Sequence, residues 1–192
     1  TGFLNELRYG DLSRIDDRER YLQLIDTRLG LPLAAGRGCA HDCGYCGGSR
    51  SAFKLHSARP KLSLRSPARV VDDLQQAFEL GARCFLVTHV SAVAEEILDE
   101  IARRFPAPLP FTVHLEAWDV PHRSLLARYA GMRPAKGCLP RHVLLSLHGA
   151  PTEAERAAEI DETADATAEM FELAPDAGVT IFSGYFAPWQ VD

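Results

Sequence analysis

From Leu31 onward the chain alternates short, continuously apolar runs with stretches whose apolar residues recur at helical spacing, and this alternation limits the folds open to it. Residues 31–35 read as a first strand. Ser66-Pro67 marks a helix start, with serine as N-cap and proline in the first turn; Val70, Val71, Leu74 and Phe78 then keep one stripe until Gly81. Residues 84–90 form a second strand, and Ser91 can cap a helix whose Ala94, Ile97, Leu98, Ile101 and Phe105 share a face before Pro106. The unit repeats with strand three at 109–116, a helix at 121–130 ended by Gly131, and strand four at 142–146. Thr152 and Glu155 make a capping box before an alanine-rich helical stretch, and Gly178 precedes a fifth strand at 179–183. Apolar strands separated by amphipathic helices predict an α/β fold with parallel pairing, as a barrel or a doubly wound sheet.

Within the first loop of this pattern stands Cys39-Ala-His-Asp-Cys43-Gly-Tyr-Cys46, three cysteines in eight residues. Thiols this close, in a chain without an N-terminal apolar signal region, point to metal ligation rather than to disulfides. A structural zinc site needs four closed ligands. His41 lies inside the short bow between Cys39 and Cys43, and Cys84 and Cys138 are distant in sequence. Three thiolates instead suit an iron-sulfur cubane in which one iron keeps no protein ligand.

The run Gly36-Arg-Gly-Cys39-Ala-His-Asp-Cys43-Gly-Tyr45-Cys46-Gly-Gly-Ser49 resembles the cluster loop of the radical S-adenosylmethionine (radical SAM) enzymes, in which an aromatic residue precedes the third cysteine. Its Arg-Gly-Cys opening and Cys-Gly-Gly-Ser close resemble the subgroup that carries a cobalamin-binding domain upstream. The resemblance implies a 4Fe-4S cluster on Cys39, Cys43 and Cys46. It also implies S-adenosylmethionine chelated at the open iron and cleaved by one electron to a 5′-deoxyadenosyl radical, with cobalamin as a further cofactor on a domain outside this chain. The implied fold is a partial (β/α)6 TIM-type barrel with five of its strands in residues 31–192 and a sixth beyond Asp192, so that the core is expected to be incomplete. Residues 1–30 are then a linker or N-terminal extension, or a solvated amphipathic helix around the charged run at 16–20.

Functional groups of parallel β/α barrels gather at the C-terminal ends of the strands. The polar residues of this chain follow that pattern: Thr88 and His89 end strand two, Glu116 ends strand three, Ser146 ends strand four with His148 just after it, and Tyr185 follows strand five. By the resemblance, Tyr45 would lie against the adenine, Ser146 would hold the ribose or carboxylate, Glu116 would accept from a ribose hydroxyl, and Thr88, His89 and His148 would add polar contacts. The chain departs from the family at one point. Where many members carry a Gly-Gly-Glu type sequence after strand two to receive the amino group of S-adenosylmethionine, it has Thr88-His-Val-Ser91. The Asp-x-His-x-x-Gly fingerprint of cobalamin binding is not in the sequence.

A net charge of −5 gives no general attraction to nucleic acid or anionic lipid, and no apolar run is long enough to span a bilayer. Odd cysteine count and cluster motif together favour a reducing, cytoplasmic setting. Arg50, Lys54, Arg59, Lys61, Arg65 and Arg69 fall between Asp42 and Asp72 with no acidic residue among them. That stretch reads as a solvated connection to the next helix, or as a phosphate contact in an RNA-modifying relative. The acidic stretch 153–172 reads as an exposed helical face, Cys84 as a buried strand residue and Cys138 as a loop thiol. The expected protein is thus a radical SAM core acting on a small molecule and reduced by a flavodoxin or ferredoxin type donor. Its rivals are a non-catalytic iron-sulfur or zinc module and an RNA-modifying radical SAM enzyme.

Overall fold

Five strands pair in parallel in the computed structural model, which describes residues 2–26, 29–39, 49–57, 62–88, 91–117, 121–147 and 153–183. Helices α1 (Gly2–Glu6) and α2 (Arg18–Asp26) lead into strand β1 (Leu31–Leu33). Strand β2 (Gly36–Arg37), helix α3 (Arg50–Ser57) and strand β3 (Ser63–Leu64) follow. The repeating part then runs α4 (Pro67–Glu79), β4 (Cys84–Val87), α5 (Ser91–Arg104), β5 (Thr112–Ala117), α6 (Arg123–Gly131), β6 (His142–Leu147), α7 (Glu153–Leu173) and β7 (Gly178–Ser183).

The large sheet has the order β1-β4-β5-β6-β7, so every neighbour in space is the next parallel strand in the chain. The order never reverses, as it would at the switch point of a doubly wound sheet. Right-handed crossovers in such a series place their helices on one face, and α4 packs on α5, α5 on α6, and α6 on α7. Pleating assigns alternate residues to the two faces. Leu31, Leu33, Phe85, Val87, Val113, Leu115, Val143 and Leu145 join the helices in one buried cluster. Leu86, His114 and Leu144 are buried outside it, on the opposite face.

The helices form where their stripes demand it. Val70, Val71, Leu74 and Ala77 are the buried side of α4, and Pro67 opens it at the first position, where a missing N–H costs nothing. Ser66 takes the N-cap position without a side-chain cap bond; its own N–H donates to Oδ1 of Asn5 (3.0 Å). On α7, Thr163, Ala166 and Met170 are buried, while Asp161, Glu162, Asp165 and Glu172 are exposed, the outward acidic face expected of this part of the stretch. The capping-box residue Thr152 lies outside the described residues.

Two strand boundaries and the basic stretch differ from the sequence expectation for physical reasons. Strand three begins at Thr112 rather than 109 because Leu109 pairs its backbone elsewhere: its N–H donates to the Arg133 carbonyl and its own carbonyl accepts from Ala135, both at 2.8 Å. Strand one stops at Leu33, and the Ala35 carbonyl accepts from the Arg65 N–H (2.9 Å), turning the chain into the antiparallel β2–β3 pair. The basic stretch is not a solvated connection throughout, since it contains α3 and β3 and buries Arg65 to 2% exposure.

Candidate functional site

Arg65 anchors the base of the cysteine loop. Its Nη1 donates to the Ala34 carbonyl (2.9 Å) and its Nη2 to the Leu7 carbonyl (3.1 Å). Nη1 also lies 2.7 Å from Asp73 Oδ2, an ionic contact rather than a well-directed hydrogen bond. The guanidinium covers the Tyr9 ring at 4.8 Å. One buried cation therefore ties the N-terminal segment, the end of β1 and helix α4 together. Gly10 completes the joint: a Cβ there would stand 2.1 Å from the Asp73 carbonyl oxygen, so only glycine allows this approach to α4.

The loop leaves this joint through β2 and reaches Cys39, half-buried, beyond the C-terminal end of β1. Gly38 holds φ +92°, a left-handed conformation natural to glycine, and a Cβ there would meet the Phe53 ring of α3 at 3.3 Å. At the far end of the loop Ser49 is buried and caps α3: its carbonyl accepts from the Phe53 N–H (2.7 Å) and its Oγ from the Ala52 N–H (3.3 Å). Helix α3 thus braces both ends of the segment that contains the other two cysteines. Cys43, Tyr45 and Cys46 themselves lie outside the described residues, as do His89, His148 and Tyr185.

The remaining expected site residues fall into register. Val87 pairs with Leu115, which brings Thr88 beside Glu116 one residue further on; Glu116 pairs with Leu144 and Leu144 with Thr180. Thr88, Glu116, Leu144 and Thr180 make one row on the face away from the helices, in the C-terminal half of the sheet. Ser146, paired with Phe182, stands one row nearer the edge. Thr88, Glu116 and Thr180 are half-buried. Thr88 neighbours Glu116, while Thr180 stands two strands away beyond Leu144; a carboxylate beside a hydroxyl can accept from and donate to a polyhydroxylated ligand.

Below this row lies a histidine pair that sequence reading passed over. His114 is 5% exposed, and its ring meets that of His142 edge to face at 6.2 Å. His142 Nε2 contacts Thr180 Oγ1, and His114 Nδ1 has no partner. Burial, assisted by the neighbouring imidazole, pushes the His114 pKa down to about 4, so the ring is neutral at pH 7. Only the strict alternation Thr112, His114, Glu116 could have flagged it, because it puts His114 on the same face as Glu116.

Cys84 and Cys138 occupy the other end of the sheet. Cys84 is the first residue of β4; its N–H donates to Asp26 Oδ1 (3.0 Å) and its sulfur faces Gly30. Burial and the Asp26 carboxylate push its thiol up to about 12, far from the thiolate that a metal needs. Cys138 precedes β6, half-buried, with its sulfur 4.0 Å from the Leu109 carbonyl. Cys39, Cys84 and Cys138 form no disulfide. A cleft of about 840 Å³ lies at this same end, lined by Asp16, Asp17, Leu22, Asp26 and Gly81 among others, and it includes none of the expected site residues. Among the described residues no cluster of three histidine, cysteine or carboxylate side chains is set to hold a metal ion, and no helix is long and apolar enough to cross a membrane. In comparisons with known proteins, no family model, no curated protein and no solved structure matches this chain.

Proposed function

We propose that the chain is the core of a radical SAM enzyme, built as a partial (β/α)6 barrel. Cys39, Cys43 and Cys46 would hold a 4Fe-4S cluster, and the row of Thr88 and Glu116 would face the nucleoside. The single observation that carries this reading is the cysteine spacing, three residues then two, in a loop that starts from the C-terminal end of the first parallel strand. The donor set fits the group: three thiolates close in sequence, with Cys84 and Cys138 at the opposite end of the sheet and Cys84 held protonated. Neither Cys84 nor Cys138 is therefore placed to supply the fourth ligand of a closed structural site.

When bound, the cluster and S-adenosylmethionine supply one-electron cleavage to a 5′-deoxyadenosyl radical. The chain's own residues bind, orient and shield. Glu116, beside Thr88, offers acceptor oxygens to ribose hydroxyls. The neutral His114 and buried Leu86 beneath that row, with buried Leu144 within it, keep bulk water from the face where the cofactor would sit. Arg65 fixes the base of the loop, so the thiolates start from a rigid joint. The substrate is a small molecule in this reading, with cobalamin-dependent methyl transfer as one reaction type.

An RNA substrate is the second reading, and one observation favours it: Arg50 and Lys54 of α3 are exposed beside the cysteine loop. The test of the leading reading is metal content. Anaerobically reconstituted protein should hold four irons and four sulfides per chain, and Cys43→Ala should lose the cluster absorbance. Tight stoichiometric zinc, with no cluster formed under reducing conditions, would contradict it.

A further inference from the structure

Residues 2–10 are fastened to the rest of the chain by polar contacts more than by apolar burial, and the guanidinium that holds them also holds the start of the first loop. We propose that this segment is a releasable strap: docked on α4 it keeps the β2–β3 pair seated, and its release frees that pair while the sheet stays folded. The strap sets how firmly the cysteine loop is based. Its meaning for the reaction rests on the cluster reading, whereas the coupling itself does not.

The fastenings form a row along the start of α4. The Ser66 N–H donates to Asn5 Oδ1 (3.0 Å), and Arg69 Nε donates to the Asn5 carbonyl (2.9 Å). Arg65 Nη2 donates to the Leu7 carbonyl (3.1 Å), and its guanidinium lies over the Tyr9 ring at 4.8 Å. Gly10 closes the row, where a Cβ would overlap the Asp73 carbonyl oxygen. Apolar anchoring is thin by comparison: Leu4 is buried but stands outside the main core cluster, while Phe3 is 63% exposed and Tyr9 46%. The chain first enters that cluster at Leu12, which fixes the end about which the strap would open. A segment with few buried apolar contacts is one that opens locally, below the cost of unfolding the whole molecule.

One side chain couples release to the loop. Arg65 Nη1 donates to the Ala34 carbonyl (2.9 Å), and the Arg65 backbone N–H donates to the Ala35 carbonyl (2.9 Å), just before β2. Arg65 directly follows β3, where Gly36 pairs with Leu64 and Arg37 with Ser63. A guanidinium is a flat, rigid fork, so Nη1 and Nη2 move together. Its Nε has no partner, its contact with Asp73 is poorly directed, and the residue is 2% exposed. Once Leu7 and Tyr9 leave, water reaches the guanidinium, and a hydrated cation holds Ala34 and Asp73 far less firmly. The docked strap and the seated pair thus stabilise each other, and such coupling is reciprocal.

The experiment is residue-resolved hydrogen exchange on the full, metal-free chain, comparing wild type with Asn5→Leu, Asn5→Asp and Gly10→Val. Asn5→Leu removes the acceptor for Ser66, Asn5→Asp keeps an acceptor at the positive end of α4, and Gly10→Val pushes the segment off that helix. The Ser66 N–H reports the strap, and the Arg65 N–H reports the loop base. In Asn5→Leu and Gly10→Val both should exchange about tenfold faster or more, while β5 and β6 stay within about twofold of wild type. Asn5→Asp should match wild type at every position. A fast Ser66 N–H beside an Arg65 N–H of wild-type protection would overturn the coupling, and wild-type exchange at Ser66 in Gly10→Val would overturn the docking itself. Should valine at position 10 also loosen β5 and β6, Asn5→Leu decides; the same uniform loosening there would overturn the strap, because the segment would belong to the core's single cooperative unit. Iron loss to a chelator, measured on reconstituted protein, should quicken in Asn5→Leu and Gly10→Val alone. If the wild type assembles no cluster, the cluster reading fails while the exchange result still decides the strap; an intact cluster that loses iron equally from all four proteins overturns the strap's hold on the cluster.

Discussion

His114 has its side chain on the sheet face where the cofactor is proposed to sit, and it must stay neutral there. Its folded pKa of about 4 lies below the ordinary 6.5, so between those values the unfolded chain binds the proton that the folded chain refuses. Stability is therefore full above pH 6.5 and falls as the pH drops toward 4. The charge-bearing neighbours are His142 across the ladder and Glu116 two residues on, and the His142 imidazole adds to the depression. Urea midpoints of wild type and His114→Phe should diverge over this window, with the wild type losing about 2 to 3 kcal/mol more than the variant on acidification. Equal pH dependence in the two proteins would show that His114 titrates normally. At the opposite end of the sheet Cys84 is inert for the same reason of burial, and it should resist thiol reagents in the folded chain.

At the scale of elements, the joint between the N-terminal segment, β1 and α4 depends on Arg65. Its replacement by leucine strands the buried Asp73 carboxylate and frees two backbone carbonyls, a loss of about 3 to 5 kcal/mol by chemical denaturation. Removing both partners, as Arg65→Met with Asp73→Leu, should recover much of that. A single-variant loss under about 1 kcal/mol would contradict the assigned role. This joint was not legible in the sequence, where Arg65 is one cation in a basic run; nothing local distinguishes a buried guanidinium from a solvated one. The α4 stripe was legible because Val70, Val71 and Leu74 repeat at helical spacing whatever they pack against. Strand three shows the limit of apolar runs: Leu109 is as apolar as Leu115, and only the distant backbone at 133–135 decides that it leaves the sheet. Helix α3 was missed because its residues, Arg50 to Ser57, carry charge where a stripe would be sought.

At the scale of the whole molecule, alternation carried parallel pairing, as a barrel or a doubly wound sheet, and the resemblance added strands adjacent in chain order; the order β1-β4-β5-β6-β7 bears out both the parallel pairing and the adjacency. Order alone puts Thr88, Glu116 and Ser146 toward the end of the sheet from which the cysteine loop departs, which is why three separate strand ends could be read as one site. His114, Thr180 and α3 entered only through packing across strands. The central claim is that this end of the sheet performs reductive cleavage of S-adenosylmethionine, and the most direct measurement is mass spectrometry for 5′-deoxyadenosine after anaerobic reconstitution and reduction with dithionite. The account predicts 5′-deoxyadenosine even without the true substrate, and none above background from Cys46→Ala. A wild-type chain that holds an intact four-iron cluster and S-adenosylmethionine yet releases no more 5′-deoxyadenosine than that control, with and without added cobalamin, would contradict it.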